Sequence, residues 1–302
     1  MGHNHDHGTQ KMNFNKAFTV GILLNVAFIT AEIIYGLQAN SLALLADAGH
    51  NASDVLGLFL AWGAAILAKR KTSERFTYGL QSSTIMAALA NAILLLVAVG
   101  GIILEAVKRM DSSQVSINST TVIWVAFLGI IINGTTAMFF ISGSKKDLNI
   151  RGAFLHMAAD ALVSLGVVIA GIAMLKTGWL LLDPIISLII AAMIIIGTWK
   201  LLTDSIKLAL HAVPEGVDYA KVKTYLSSLK NVKEVHDLHI WAMSTSDFAL
   251  SAHILMGCQP DNNFIKKIEH HIEHHFNIGH TTIQIEVGDS ADRCNLVKDG
   301  GH

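Results

Sequence analysis

HMAADALVSLG, residues 156–166, is an apolar run broken by two polar groups four positions apart, His156 and Asp160. An earlier apolar run, ADAGHNASDVLG at 46–57, is broken in the same way at His50 and Asp54. Of the 15 histidines, these two alone fall inside the long hydrophobic segments away from their ends. Residues i and i+4 of a helix share a face, with Cβ atoms about 5–6 Å apart. One imidazole nitrogen and one carboxylate oxygen from each of two such helices close a four-ligand shell, the tetrahedral arrangement zinc favours at about 2.0–2.2 Å. Two aspartates against one divalent cation leave that shell neutral, which eases the burial of carboxylates. Histidine titrates near pH 6.5, so protons compete with metal at such a site. A structural hydrogen bond would account for one His–Asp pair. Two pairs at identical spacing, where ionisable groups are costly to insert, point to a metal site through which an ion moves.

The rest of the composition supports a membrane setting. The chain of 302 residues is 52% hydrophobic and 15% charged, against about a quarter charged in soluble domains. A formal net charge of -1 argues for no nucleic-acid partner. Two cysteines, Cys258 and Cys294, make no disulfide framework. The start, MGHNHDHGTQ, lacks the basic-then-apolar pattern of a cleaved signal, so insertion is expected to use the first span. Six apolar stretches, at 15–37, 42–68, 82–107, 120–142, 153–175 and 180–203, are each near the roughly 20 residues that cross about 30 Å of hydrocarbon. Asn25, Glu32, Asp47, His50 and Asp54 interrupt the first two, which must turn those groups inward. Asp47, one and two turns before His50 and Asp54, reads as an outer-shell or entry carboxylate of the ion pathway. Lys69, Arg70, Lys71 and Arg75 follow the second span, and Lys145, Lys146 and Arg151 follow the fourth. The opposite loops hold little basic charge, Lys108 and Arg109 excepted, so both termini are expected in the cytoplasm.

From about Val213 the chain reads as soluble. Residues 217–229 have helical spacing, EVHDLHIWAM and FALSAHILM read as strands joined at Ser244–Asp247, 261–276 as a second helix and TTIQIEV as a third strand. That α-β-β-α-β order suggests a small α+β domain of ferredoxin-like type. The expected organisation is a His-containing tail at 1–14, a six-helix transmembrane domain at 15–208, a cytoplasmic domain at 209–288 and a loose tail at 289–302.

Two histidine-rich stretches fall outside the paired motif. His3, His5 and His7 alternate in the tail, a tract able to hold metal loosely. KIEHHIEHHFNIGH, residues 267–280, holds His270, His271, His274, His275 and His280, and its EHH strings resemble a histidine box of membrane di-iron desaturases. That rival oxidoreductase reading needs further HxxxH and HxxHH clusters, which the chain lacks outside this stretch. No HExxH helix is present either, which disfavours a metalloprotease.

Taken together, ADAGHNASD, HMAADALVSLGVV, LDPIISLIIA and VHDLHIWAM closely resemble the cation diffusion facilitator family in its zinc-exporting branch, over roughly residues 17–287. The resemblance implies no enzyme but a homodimer in the bacterial inner or plasma membrane that exports Zn²⁺ in exchange for H⁺ by alternating access. By motif position, His50, Asp54, His156 and Asp160 would be the transport site, with a histidine in the second span marking the zinc- and cadmium-handling version. It also implies regulatory zinc in the cytoplasmic domain, where His236, His253, His280 and Glu286 are the matching candidates and His239 a weaker one. One departure stands out. The family's FGYxRxE entry to the third span reads YGLQSST here, with Ser82 and Thr84 replacing arginine and glutamate, so any ion pair of those residues must be absent or relocated.

Overall fold

The structure, a computed structural model, describes residues 14–111, 116–141, 148–261 and 263–288. His3, His5 and His7, Lys145 and Lys146, and the tail from 289 with Cys294 lie outside the described residues. Six helices come first: α1 (Phe14–Ala39), α2 (Leu42–Ala68), α3 (Ser83–Asp111), α4 (Ser119–Phe140), α5 (Leu148–Thr177) and α6 (Leu182–Ala209). Among the described residues, five segments are long and apolar enough to cross a membrane: α2, α3, α4, Phe154–Thr177 of α5, and α6. A small α+β region follows, with α7 (Tyr219–Ser227), β1 (Val232–Ala242), β2 (Phe248–Met256), α8 (Phe264–Phe276) and β3 (His280–Val287). Each apolar stretch of the sequence becomes one helix, with ends shifted by a few residues.

The described residues divide into two compact units, those within 14–59 and 91–199, and those within 60–90 and 200–288. In the first, the core mixes alanines and valines, among them Ala39, Ala43, Ala46, Val122, Ala126 and Val167, with larger Leu44, Ile190 and Ile194. Small residues let helix backbones approach closely where hydrocarbon offers no hydrophobic drive for association. The α4–α5 contact shows this directly. A Cβ on Gly171 would lie 2.7 Å from Ile123 Cγ1, and one on Gly129 would lie 2.8 Å from Ser164 Oγ. The start of α2 is fixed from another helix. Asp183, in the first turn of α6, accepts hydrogen bonds from the Ser41 hydroxyl and from the Leu42 and Ala43 amides. Those amides are orphan donors of a helix N-terminus, and a carboxylate there also meets the positive end of the dipole.

In the second unit, β2 is the central strand, antiparallel to β1 and parallel to β3. Its hydrophobic run is buried along nearly its whole length, as expected of a strand with neighbours on both edges. Helix α8 makes the crossover to β3 and pins Ile268 and Ile272 into the core, worth about 2 kcal/mol each. Asp218 caps α7 by accepting from the Lys221 amide, and Asn277 ends α8 in the left-handed conformation that Asn tolerates. The α2–α3 loop belongs to this unit as well. The Ser82 hydroxyl donates to the Met243 carbonyl and the Thr245 amide donates to Thr84 Oγ1, both at the β1–β2 turn. The two positions where the family's arginine and glutamate are missing therefore carry neutral hydrogen bonds instead.

Candidate metal centre

Helices α2 and α5 each present their polar pair on one face, because residues four apart on a helix lie one above the other. His50 and Asp54 come from α2, His156 and Asp160 from α5, and one ligand atom from each lies within 4.8 Å of all the others. The closest approaches cross between helices. His156 Nε2 is 3.0 Å from Asp54 Oδ2, and His50 Nε2 is 3.4 Å from Asp160 Oδ1. Within each helix the separations are 3.9 Å and 3.6 Å. A tetrahedron with arms of about 2.1 Å has edges of about 3.4 Å, so these four contacts bracket the edge of a zinc shell. The arrangement is thus one shared box rather than two self-contained pairs. Asp160 is buried and Asp54 half exposed, with side-chain exposures of 3% and 41%.

Around the box lies a second set of buried polar groups. Asp47, one turn before His50, accepts from the hydroxyl of Ser164, one turn after Asp160. Asn51, next to His50, donates to Glu32 on α1. Asp47, Glu32 and Ser164 are fully buried. These bonds tie α2 to α5 and to α1 directly beside the box, and they place Asp47 next to the ligands rather than among them. The sequence flagged Asp47 and Glu32 as polar interruptions. Ser164 was not legible, since a serine in an apolar helix is ordinary.

A second cluster lies in the α+β unit. His236 on β1 faces His253 on β2 in the strand register, and the two rings meet edge to face at 5.4 Å. Glu286 on β3 reaches both: His253 Nδ1 is 3.0 Å from its Oε1, and His236 Nε2 is 3.5 Å from its Oε2. These three residues offer ligand atoms within 4.8 Å of one another. His280 does not join them; its ring packs edge-on against Tyr78 at 5.7 Å. A residue the sequence reading missed takes a place at the edge. Asp237 has a φ of 48° where β1 slips register between His236 and His239. Such a bulge re-aims a side chain. Asp237 Oδ2 lies 3.6 Å from His253 Nε2, and its Oδ1 lies 2.9 Å from His239 Nε2. An aspartate within a strand-like run, flanked by histidine, was the available signal, because aspartate is depleted in strands. His239 meets Asp237 and stays outside the cluster.

The fold and the two clusters define a class: a polytopic helical membrane protein with an α+β domain and two groups of His and carboxylate side chains close enough to hold a metal ion. Comparison with known proteins sharpens this. Residues 18–208 match the cation efflux transmembrane domain, and residues 214–287 match the cytoplasmic domain of cation efflux proteins. A "Cadmium, cobalt and zinc/H(+)-K(+) antiporter" of Bacillus subtilis is 34% identical over 95% of this chain and 92% of its own. The "Metal cation efflux system protein CzcD" of Cupriavidus metallidurans is 34% identical over 95% and 90%. The "Zinc transporter ZitB" of Pectobacterium atrosepticum is 32% identical over 100% and 94%. The chain belongs to the cation efflux family, the cation diffusion facilitators, and is an integral membrane transporter that exports divalent metal cations.

Proposed function

We propose that this transporter exchanges cytoplasmic Zn²⁺, with Cd²⁺ and Co²⁺ as further cargo, for protons, and that His50, Asp54, His156 and Asp160 are its transport site. The observation that carries the reading is the four-atom box between α2 and α5, whose 3.0–3.9 Å edges suit a tetrahedral N/O shell. Imidazole and carboxylate together suit zinc and its neighbours better than manganese or calcium, which take oxygen-rich sites. Ligands must be deprotonated to bind metal, so loading the site releases protons and acid unloads it. The named activities of the Bacillus and Pectobacterium relatives agree with this cargo and this exchange. Rocking of the bundle would open the box to one side at a time.

In this reading α1 is the sixth span, and the chain is a 15–208 membrane domain, a ferredoxin-like 209–288 domain that pairs two copies into a homodimer, and tails at 1–14 and 289–302. Both termini face the cytoplasm, as the basic loops require. Arg109, against that pattern, is engaged with the Asn40 carbonyl and Glu105. His236, His253 and Glu286, with Asp237 beside them, hold regulatory zinc, and His280 stands apart. The test is flux into vesicles. Protein reconstituted with an internal zinc dye should give zinc movement driven by an imposed pH gradient, and flux that survives Asp160→Ala would sink the mechanism. Zinc above one per chain, falling after His253→Ala, is the expected mark of the second site.

A further inference from the structure

The EHHIEHHF string on α8 has no part in either cluster, yet its four histidines are not equivalent in the fold. Ile268 and Ile272 face the core, which leaves His270, His271, His274 and His275 on the outer arc of the helix. The two i,i+4 pairs in that arc do different things. The His271 ring is sandwiched: Tyr225 stacks on it at 3.9 Å and 12°, and His275 stacks on the other side at 3.9 Å and 8°. His275 Nδ1 is also within hydrogen-bond reach of the His271 carbonyl, at 3.2 Å. That pair is occupied by packing.

His270 and His274 are arranged otherwise. Their ring centroids are 4.3 Å apart but the planes are tilted by 48°, so the rings lean together without stacking. Both are exposed, and neither ring nitrogen has a hydrogen bond or ion pair among the described residues. We propose that His270 and His274 form a surface clamp for a divalent transition-metal ion on α8, separate from the transport site and from the His236–His253–Glu286 cluster. The spacing is HxxxH on one helix face, the geometry by which helices present two imidazoles to zinc. Glu273, one turn from His270 and adjacent to His274 in sequence, is exposed on the same arc and can lend an oxygen. Lys266, one turn before His270, is the opposing charge. Lys267 is drawn off by Asp261 at 3.2 Å. Two protein ligands with water completing the shell make a labile site, strongest for Cu²⁺ and weaker for Ni²⁺ and Zn²⁺, following the general order for nitrogen donors.

The test uses the full chain in detergent carrying Asp54→Ala, Asp160→Ala, His253→Ala and alanine at His3, His5 and His7, so that other metal contacts are removed. Cu²⁺ and Zn²⁺ are titrated separately, and the copper form is read by electron paramagnetic resonance. The parent should bind one ion per chain with a two-nitrogen hyperfine pattern. His270→Ala or His274→Ala should each weaken binding by about tenfold or more and reduce the pattern to one nitrogen. His271→Phe with His275→Ala should leave both unchanged. Binding that survives His270→Ala with His274→Ala, or that falls equally in the His271/His275 variant, would overturn the assignment. In the chain without background substitutions, His270→Ala with His274→Ala should still carry zinc flux, which separates this site from the transport reading.

Discussion

The proposed transport box places two aspartates in different surroundings, and exchanging each for asparagine should expose the difference. Asn keeps the shape and removes one negative charge. A unit charge pair at about 4 Å is worth about 1 kcal/mol in water-like surroundings and about 4 kcal/mol at an effective dielectric constant of about 20. Asp160, at 3% exposure, sits toward the second limit and Asp54, at 41%, toward the first. Ionisable groups within membrane spans face the bundle interior or water-filled cavities, and the screening assigned to Asp54 assumes water at its exposed side. Both figures are floors, since the ion is divalent. At 1.4 kcal/mol per tenfold, Asp54→Asn should weaken zinc binding by at least about fivefold and Asp160→Asn by about a thousandfold. The assay is competition with a zinc dye on purified protein, with gel-filtration profiles confirming the fold. Proteoliposome flux should follow the same order. Equal losses, or a larger loss at Asp54, would refute the assignment of the buried carboxylate as the dominant anion. Unchanged affinity in both would remove the shell altogether.

Other perturbations test the framework. Gly171→Ala should push α4 from α5 at the 2.7 Å contact with Ile123 and cost about 1–3 kcal/mol, read as a fall in the thermal midpoint of the detergent-solubilised protein. Ser82→Ala with Thr84→Val should cost about 1 kcal/mol per lost hydrogen bond to the β1–β2 turn, seen as faster amide exchange at Thr245. The His271 imidazole is held below the usual histidine range by partial burial and by His275 and His270 nearby. The folded form therefore takes its proton later than the unfolded form does, so the Tyr225–His271 stack is at full strength above pH 6.5 and weakens as pH falls through that value. His271→Phe should keep the stack and flatten the dependence of the thermal midpoint between pH 7.5 and 5.5, pH values chosen about one unit either side of free histidine.

Much of this was readable in the chain. Six apolar stretches became six helices, five of them with segments long and apolar enough to cross a membrane, because hydrocarbon thickness sets span length and unsatisfied backbone is excluded there. That His50, Asp54, His156 and Asp160 come together was legible because charge inside such a stretch is expensive and the spacing repeats. In the α+β domain, His236, His253 and Glu286 were reachable from strand alternation and register. His280 lies outside that cluster because a strand's first residue can turn toward a neighbouring loop, here to Tyr78. Asp237 was marked only by its residue type, because a bulge shifts a side chain between faces without leaving a mark in an alternating pattern. The role of Ser82 and Thr84 was illegible for another reason. Their partners are backbone groups 161 positions away, and side chain to backbone contacts leave no complementary residue type to find.

Asp183 differs from the two proposed metal clusters in how the burial of its polar atoms is compensated. Asp183 is fully buried, and its carboxylate accepts three hydrogen bonds, so its burial is compensated by the helix it caps. The box and the α+β cluster are not compensated in that way. Asp160 Oδ2, His50 Nδ1, Glu286 Oε2 and both ring nitrogens of His236 are buried without a hydrogen-bond partner among the described residues, and so are Glu32 Oε1, Asp47 Oδ1, Gln81 Oε1, Asn91 Oδ1 and Asn133 Nδ2 outside the two ligand sets. A group left so costs about 1–3 kcal/mol, and in the two clusters such groups lie where several His and carboxylate ligand atoms come within 4.8 Å of one another. A cation bound between them offsets that cost, and only in the folded chain, so metal binding must stabilise the protein. At a free zinc concentration about a hundred times the dissociation constant, the gain is about 2.7 kcal/mol per site. The thermal midpoint should therefore rise with zinc, rise less after Glu286→Gln and less again after Asp160→Asn, while no zinc response depends on Asp183. A midpoint indifferent to zinc in the unsubstituted chain would mean that these unsatisfied groups do not mark the sites proposed for them.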